Sequence, residues 1–452
     1  MGSDTRTFGR SAGRLSVGVG VAGLLTYVFF ALASHNLDPV AYGEVVVLWS
    51  AVFVTISVLH RPVEALISRG IAERAPRGEP VGGVLRSAAL IEAGVAVGFA
   101  LVALALRGPI QDDLLSGSEA LYWIYVASVL AFAASFYARG FLAGEGRFGL
   151  LAGLLVCESA SRLAFSLAVA IGLAAGRDAV AVGIVAAPLF SLLVVPAALR
   201  RRSAPRRDSP TAAAVPRGDA RLARGGAFAA AVFVVMLSEQ IFLNGGPLLL
   251  RGFEGAAAAG FIFNVLMLAR APLLVFQGIA VSLLPHLTRL RSRGGEAAEA
   301  AFAVSIGVTL RAVAAFTVLV VAIVAVAGPQ LMQLAFGDRF EYDRAGLLIV
   351  AVAMGLYLAS TTLNQAALAQ GQAKRAAACW AVCAVGFLAW SLVAPVDDPA
   401  RRVEVGFALA AALLCLLLWR AYSDPDPPRG AVPAPGSAEE TEARLALADE
   451  AS

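Results

Sequence analysis

The chain has 452 residues, of which 59% are apolar and 15% charged, with a formal net charge of +4. Its mean hydropathy of +0.77 excludes a soluble globular, disordered or disulfide-stapled secreted protein and puts the chain in a bilayer. The basic residues are 35 Arg and one Lys, Lys374; the four cysteines, Cys157, Cys379, Cys383 and Cys415, fall inside apolar runs and read as small hydrophobes rather than redox or metal groups.

A membrane-crossing helix needs about 20 mainly apolar residues. The sequence predicts twelve, near 15–34, 43–66, 84–106, 121–141, 150–174, 179–199, 226–249, 256–283, 303–327, 345–369, 375–394 and 403–421. Alternate connections, starting before the first span, hold 25 Lys and Arg against 7 in the others, so both termini are expected to be cytoplasmic. The first run imitates a signal peptide, with Arg6, Arg10 and Arg14 ahead of it and Ala31-Leu32-Ala33 at its end. About 20 apolar residues is long for such a segment, so it is expected to stay as a span.

The expected organisation is a cytoplasmic N-terminus at 1–14, a six-helix bundle at 15–199 and an Arg-, Pro- and Ser-rich cytoplasmic linker at 200–225. A second six-helix bundle follows at 226–422. Residues 423–452 are too polar and Pro-rich to fold and are expected to form a disordered cytoplasmic tail. Six spans per half suits two repeats related by an axis along the membrane normal. Gly144-Glu145-Gly146-Arg147 after span four and Gly371-Gln372-Ala373-Lys374 after span ten support a repeat, as do the connections before spans two and eight.

Gly18-Val19-Gly20-Val21-Ala22-Gly23 matches the dinucleotide fingerprint but lies inside an apolar span, without the strand and acidic residue that chemistry requires; it reads as helix packing, as do Gly94 with Gly98 and Gly149 with Gly153. The single Lys follows Ala373, so no P-loop exists, and His35, His60 and His286 lack metal-ligand spacing. No catalytic residue, metal, cofactor or nucleic-acid partner is implied. Any transport would draw on a gradient, a partner or the cargo's own downhill flow.

Arg61, Arg162, Arg270 and Arg311 remain at depths where a charge is costly. Arg61 and Glu64 lie three apart beside Pro62, and Glu158 and Arg162 lie four apart, so either pair could neutralise itself on one helix face. Arg270 has no acidic neighbour in its span and is expected to line a cavity. Glu239 could partner Arg270 or titrate with transported protons, while Arg311 lies near a span start and Glu92 reads as solvated. A positive cavity suits an anionic head group, since guanidinium forks match phosphate oxygens.

Several segments carry a family likeness: Leu37-Asp38-Pro39-Val40-Ala41-Tyr42-Gly43, Gly260-Phe261-Ile262-Phe263-Asn264, Pro285, and Phe336-Gly337-Asp338-Arg339-Phe340. Through them the chain resembles the MOP flippase superfamily and, within it, polysaccharide exporters of the Wzx type. That resemblance implies an all-α fold of two six-helix bundles around a central cavity opening alternately to either side of a bacterial plasma membrane. It implies a cargo of polyprenyl-pyrophosphate-linked oligosaccharide, carried to the outer leaflet for surface polysaccharides such as O-antigen, with glycosyltransferases and a polymerase as possible partners. It places Arg270, Arg61, Arg311 and Asn264 at the head group and Glu239 and Glu64 as coupling carboxylates, with Glu158 and Arg162 as a charge pair. Lipid II flippases of the superfamily generally carry two further spans, which the sequence does not show, and a lipid II flippase stays among the alternative readings. The other readings are a MATE-type multidrug or cation antiporter and a non-transporting scaffold for polymer assembly.

Overall fold

A computed structural model of the chain describes residues 2–75, 78–194, 196, 220–270, 296–340 and 342–423. The linker residues 197–219 and the tail 424–452 lie outside this set. Among the described residues there is no strand. The helices are α1 (Gly2–Asn36), α2 (Pro39–Leu59), α3 (Arg61–Arg74), α4 (Gly82–Ala105), α5 (Glu119–Gly144), α6 (Phe148–Ala170) and α7 (Gly176–Ser191) in the first half. The second half holds α8 (Ala220–Glu254), α9 (Ala256–Arg270), α10 (Glu296–Phe336), α11 (Arg344–Ala369), α12 (Ala373–Val393) and α13 (Pro399–Ser423).

Eleven described segments are long and apolar enough to cross a membrane, with α2 and α3 together making one of them. Helix α9 is the described part of the expected span eight, whose remainder lies outside the described residues. The fold is therefore the expected all-α, polytopic one. Large apolar side chains such as Leu173, Val326, Leu334 and Val393 stand more than three-quarters exposed, as they do where the solvent is lipid.

Local chemistry sets the helix starts. Asp38 Oδ1 accepts from the backbone N–H of Val40 and Ala41, both at 3.0 Å, with Pro39 opening α2; Ser118 caps α5 and Asp343 caps α11 in the same manner. Two helix ends share the same backbone form. After α5, Gly146 N–H bonds Ala143 O and Arg147 N–H bonds Leu142 O; after α11, Gly371 N–H bonds Leu368 O and Gln372 N–H bonds Ala367 O. Both glycines have positive φ, +68° and +80°, which a side chain would strain.

In the first half α1 packs on α6, α6 on α7, and α5 on α7 and α3; in the second, α11 packs on α13 and α10, and α12 on α8 and α13. Phe242 centres the second half, with the rings of Tyr357, Trp380, Phe387 and Phe407 all between 5.8 and 6.1 Å away. One end of that half is clasped by Arg401, which bonds Asp343 at 2.8 Å and Glu404 at 2.9 Å, and by Tyr342, which donates to Glu404. Burial, reinforced by the Glu404 carboxylate, holds the Tyr342 phenol well above its usual range, so it remains a donor at neutral pH.

Contacts between the halves gather at the end where α1 turns into α2. Helix α2 packs along α8; Phe30 meets Phe263 at 4.5 Å, Tyr27 meets Phe336 at 5.6 Å and Tyr42 meets Phe340 at 5.2 Å. Arg251 of α8 reaches Leu114 O and Ser116 Oγ, each at 3.1 Å. At the crossing of α2 and α9, a Cβ on Gly43 would stand 1.7 Å from Ala256 O, and one on Gly260 would stand 3.0 Å from Gly43 Cα. At Gly43 only hydrogen fits between those backbones, while at Gly260 the fit is tight.

Candidate functional site

Two groups of polar side chains lie inside the helices, one in each half. In the first, Glu158 of α6 accepts from Arg162 one turn on, at 3.3 Å, and from Arg139 of α5. The expected Glu158–Arg162 pair is present, but the pair is a triad. Arg139 sits in α5 and is half-buried. Ser159 Oγ accepts from Arg162 at 3.1 Å, and Ser135 Oγ lies 3.5 Å from Glu158 and 3.3 Å from Ser191 Oγ.

Aromatic faces complete this group. The Arg162 guanidinium lies 4.8 Å from the Trp49 ring centre and 5.8 Å from that of Phe53, and Arg139 lies 4.5 Å from Phe136, favourable positions for a cation screened from water. Glu64 is within Coulombic range of Arg139, Arg61 and Glu158. Three cations thus face two carboxylates, leaving a positive excess. The Nε donors of Arg139 and Arg162 have no partner among the described residues.

In the second half, Arg270 Nη2 donates to Leu243 O, and its Nε has no partner among the described residues. No acid pairs with it directly there. Tyr357, which the sequence reading did not single out, donates to Glu239 at 3.2 Å. Nearby on α8, Asn244 donates to Gln240 at 2.9 Å, while Asn364 of α11 accepts from Trp380 Nε1 at 3.1 Å.

Two expected head-group residues lie elsewhere. Arg311 is exposed and bonds only Gly307 O of its own helix, at 3.2 Å, among the described residues. Asn264 is fully buried and its Oδ1 accepts from Tyr42 Oη, so it belongs to the closure between halves. The motif segments 37–43, 260–264 and 336–340 converge there. Beside them a pocket of about 550 Å³ is lined by Ser34, His35, Gln330, Gln333, Asp338 and Arg339. Tyr42→Phe leaves the buried Asn264 amide oxygen unpaired as well, and a loss of about 1–3 kcal/mol is expected. Thermal unfolding of detergent-purified protein measures it; a midpoint equal to the parent's would show that the bond contributes nothing.

Two further expectations are corrected. Gly18 does pack, against Ala152, but Gly94, Gly98, Gly149 and Gly153 are exposed with no atom within 4 Å of an added Cβ. Those four face outward. Glu92, read as solvated, is 6% exposed and lies 2.5 Å from Nδ1 of His60. The signal for Arg139 was present in sequence, since Gly140-Phe141-Leu142-Ala143 continues the apolar run beyond it; the His60–Glu92 pairing joins two spans and left no such mark.

No family model and no curated protein matches the sequence. Solved structures do. A eukaryotic MATE transporter, AtDTX14, is 12% identical with a TM-score of 0.64, covering 98% of this chain and 98% of its own. A Vibrio cholerae MATE transporter, VcmN, in a mutant form, is 17% identical at a TM-score of 0.60, covering 92% and 97%. The inward-facing form of a multidrug resistance MATE family transporter of the MOP superfamily is 17% identical at 0.60, covering 90% and 93%. Over nearly its whole length, then, this chain has the fold of the MATE transporters.

Proposed function

We propose that this chain is a multi-pass membrane transporter working by alternating access, its two six-helix halves rocking about the closure at the α1–α2 end. One observation supports this most: buried guanidinium groups stand in both halves, with Nε donors unpartnered among the described residues, in a fold otherwise known from transporters. Charges that a fold does not neutralise completely mark a cargo path more often than a structural feature.

The positive excess favours a cargo with an anionic head. On this reading the chain moves a polyprenyl-pyrophosphate-linked oligosaccharide to the outer leaflet of a bacterial plasma membrane, between the glycosyltransferases that build it and a polymerase that consumes it. Arg270 holds the head group with Arg61, and Glu239 answers through Tyr357. A second reading has equal or better support from the fold neighbours, two of which are titled multidrug resistance transporters: antiport of cationic amphiphiles, with Glu239 and Glu64 as the exchanging carboxylates.

Reconstituted protein offered an NBD-labelled polyprenyl pyrophosphate in one arm and ethidium in the other separates the two. The first reading expects flipping of the pyrophosphate lipid, reduced about tenfold to a hundredfold by Arg270→Ala through loss of charge-assisted hydrogen bonds. Ethidium accumulation without lipid flipping, abolished by Glu239→Gln, would establish the second. Movement of neither probe would count against both.

A further inference from the structure

We propose that the pocket between the end of α1 and the end of α10 is a saccharide-binding site whose occupant bridges the two halves at the α1–α2 end. Its place in a transport cycle rests on the reading above; its ligand class rests on the residues that line it.

The turn after α10 builds one wall. Phe336 and Phe340 are both 0% exposed. The first packs on Tyr27 at 5.6 Å, the second on Tyr42 at 5.2 Å and on Phe261 at 5.6 Å. Between these anchors Gly337 takes a φ of +94°, a region glycine enters without steric cost. Its N–H bonds Gln333 O at 2.7 Å, and Phe340 N–H bonds Gly337 O at 3.1 Å. Buried rings thus fix both ends of the turn, while Asp338 and Arg339 between them are exposed and line the pocket.

The other wall belongs to the first half. Ser34 and His35, in the last turn of α1, line the pocket together with Gln330 and Gln333 of α10. Nδ1 of His35 lies 2.7 Å from Ala31 O, so it carries the hydrogen, and the neutral ring keeps a lone pair on Nε2. A Cβ on Gly337 would already touch this ring, at 3.5 Å from Cδ2. The two walls therefore meet there.

The volume of about 550 Å³ falls in the range of about 300–1,000 Å³ usual for small-molecule sites. Its chemistry narrows the occupant. Asp338 only accepts, Arg339 only donates, and the two glutamine amides do both. One carboxylate and one guanidinium cancel, so neither an anion nor a cation gains from the net charge of the lining. The side chains of Gln330, Asp338 and Arg339 make no hydrogen bond or ion pair among the described residues, which leaves their capacity for a ligand. Sugar hydroxyls, each a donor and an acceptor, are neutral groups that use such a mixture. None of the residues assigned above to the head group lines this pocket.

Because the walls come from both halves, an occupant binds the closed arrangement and not the open one. By linkage it favours closure. With both termini cytoplasmic, as the arginine distribution leads one to expect, this end faces outward. A saccharide already delivered to that side then binds here and favours return to the arrangement closed at this end.

The test uses the full chain in lipid nanodiscs. Maltose and chitobiose, two neutral disaccharides, are each offered at about 10 mM, enough to occupy a site of millimolar Kd, and contact is read by saturation-transfer NMR. Transfer to at least one of them is expected in the parent. The double variant Gln330→Ala/Asp338→Ala changes two exposed residues and should weaken binding about tenfold or more through two lost hydrogen-bonding groups. Arg270→Ala should keep it. No transfer in the parent, or equal transfer in the double variant, overturns the proposal. So does displacement of the saccharide by inorganic pyrophosphate or tetraphenylphosphonium at equal concentration, because the pocket would then select charge.

Closure is read by pulsed electron resonance from spin labels at Val40→Cys of α2 and Phe253→Cys of α8, both exposed positions, with the four native cysteines replaced. The saccharide that binds should shift the distance distribution toward shorter separation in the parent and not in the double variant; an unchanged distribution in the parent overturns the bridging role. Flipping of the labelled polyprenyl pyrophosphate separates the two kinds of failure. If flipping persists while no saccharide binds, the pocket assignment is wrong and the transport reading stands. If no lipid is flipped yet saccharide binding is lost in the double variant, the pocket stands and the transport reading falls.

Discussion

Glu158→Ala is expected to destabilise the first half by about 3–5 kcal/mol, the cost typical of removing one partner from a buried ion pair. Its carboxylate is 4% exposed and is the acceptor for both Arg139 and Arg162, the latter 3% exposed. Removing it strands two cations side by side, and the rings of Trp49, Phe53 and Phe136 offset only part of that cost. Glu158→Gln should fall between, since the amide still accepts one hydrogen bond but brings no charge. Unfolding of purified protein, followed with a thiol-reactive dye, reads the order parent, Glu158→Gln, Glu158→Ala. Equal midpoints for all three would show that the triad is not what holds α5 to α6. Replacing Arg162 by Met in the Glu158→Ala background should recover stability, because the uncompensated charge is then halved.

The second large effect is expected at Gly43. Any side chain there drives its Cβ into the Ala256 carbonyl, and the obstacle is backbone, which cannot swing aside as a side chain could. Gly43→Val should prevent α2 and α9 from crossing at their present distance and hold the α1–α2 end open. Overpacking of this kind costs about 1–3 kcal/mol or more within a fixed arrangement, enough to shift a two-state equilibrium toward the arrangement that relieves it. Gly260→Ala is the control, since its Cβ meets Gly43 Cα and Tyr42 Cδ1 at 3.0 Å, a contact that small adjustments relieve. Reaction of a cysteine placed at Phe340, buried under Tyr42, with a membrane-impermeant thiol reagent should rise strongly in Gly43→Val and little in Gly260→Ala. Equal labelling in both would mean that the glycine crossing does not govern closure.

How far the residues announced this architecture can be followed position by position. The spans were legible because about 20 apolar residues in a row have one physical use, and eleven of the twelve expected stand among the described residues. The caps at Asp38, Ser118 and Asp343, which the structure shows, act on N–H groups only two or three residues away. The 144–147 and 371–374 turns do share a backbone form, but it is Gly146, not Gly144, that corresponds to Gly371, and the positive φ of those two explains why glycine is there. Glu158 and Arg162 were visible as a pair because helical spacing alone brings them together.

What escaped were contacts across helices. Nothing along the chain ties Arg139 to Glu158, His60 to Glu92, Tyr42 to Asn264 or Tyr357 to Glu239, because each pair depends on which helix faces are turned toward each other. Arg311 was placed by depth alone, and depth does not say which way a helix is rotated. The same is true of Gly94, Gly98, Gly149 and Gly153, whose spacing suits close packing but whose faces point outward. Hydrophobicity therefore settled, from sequence, that this is an all-α membrane protein of many spans, eleven of which stand among the described residues. Only the tertiary arrangement decided which buried charges neutralise each other, which stay partly unpaired, and where two backbones come so close that hydrogen alone can lie between them.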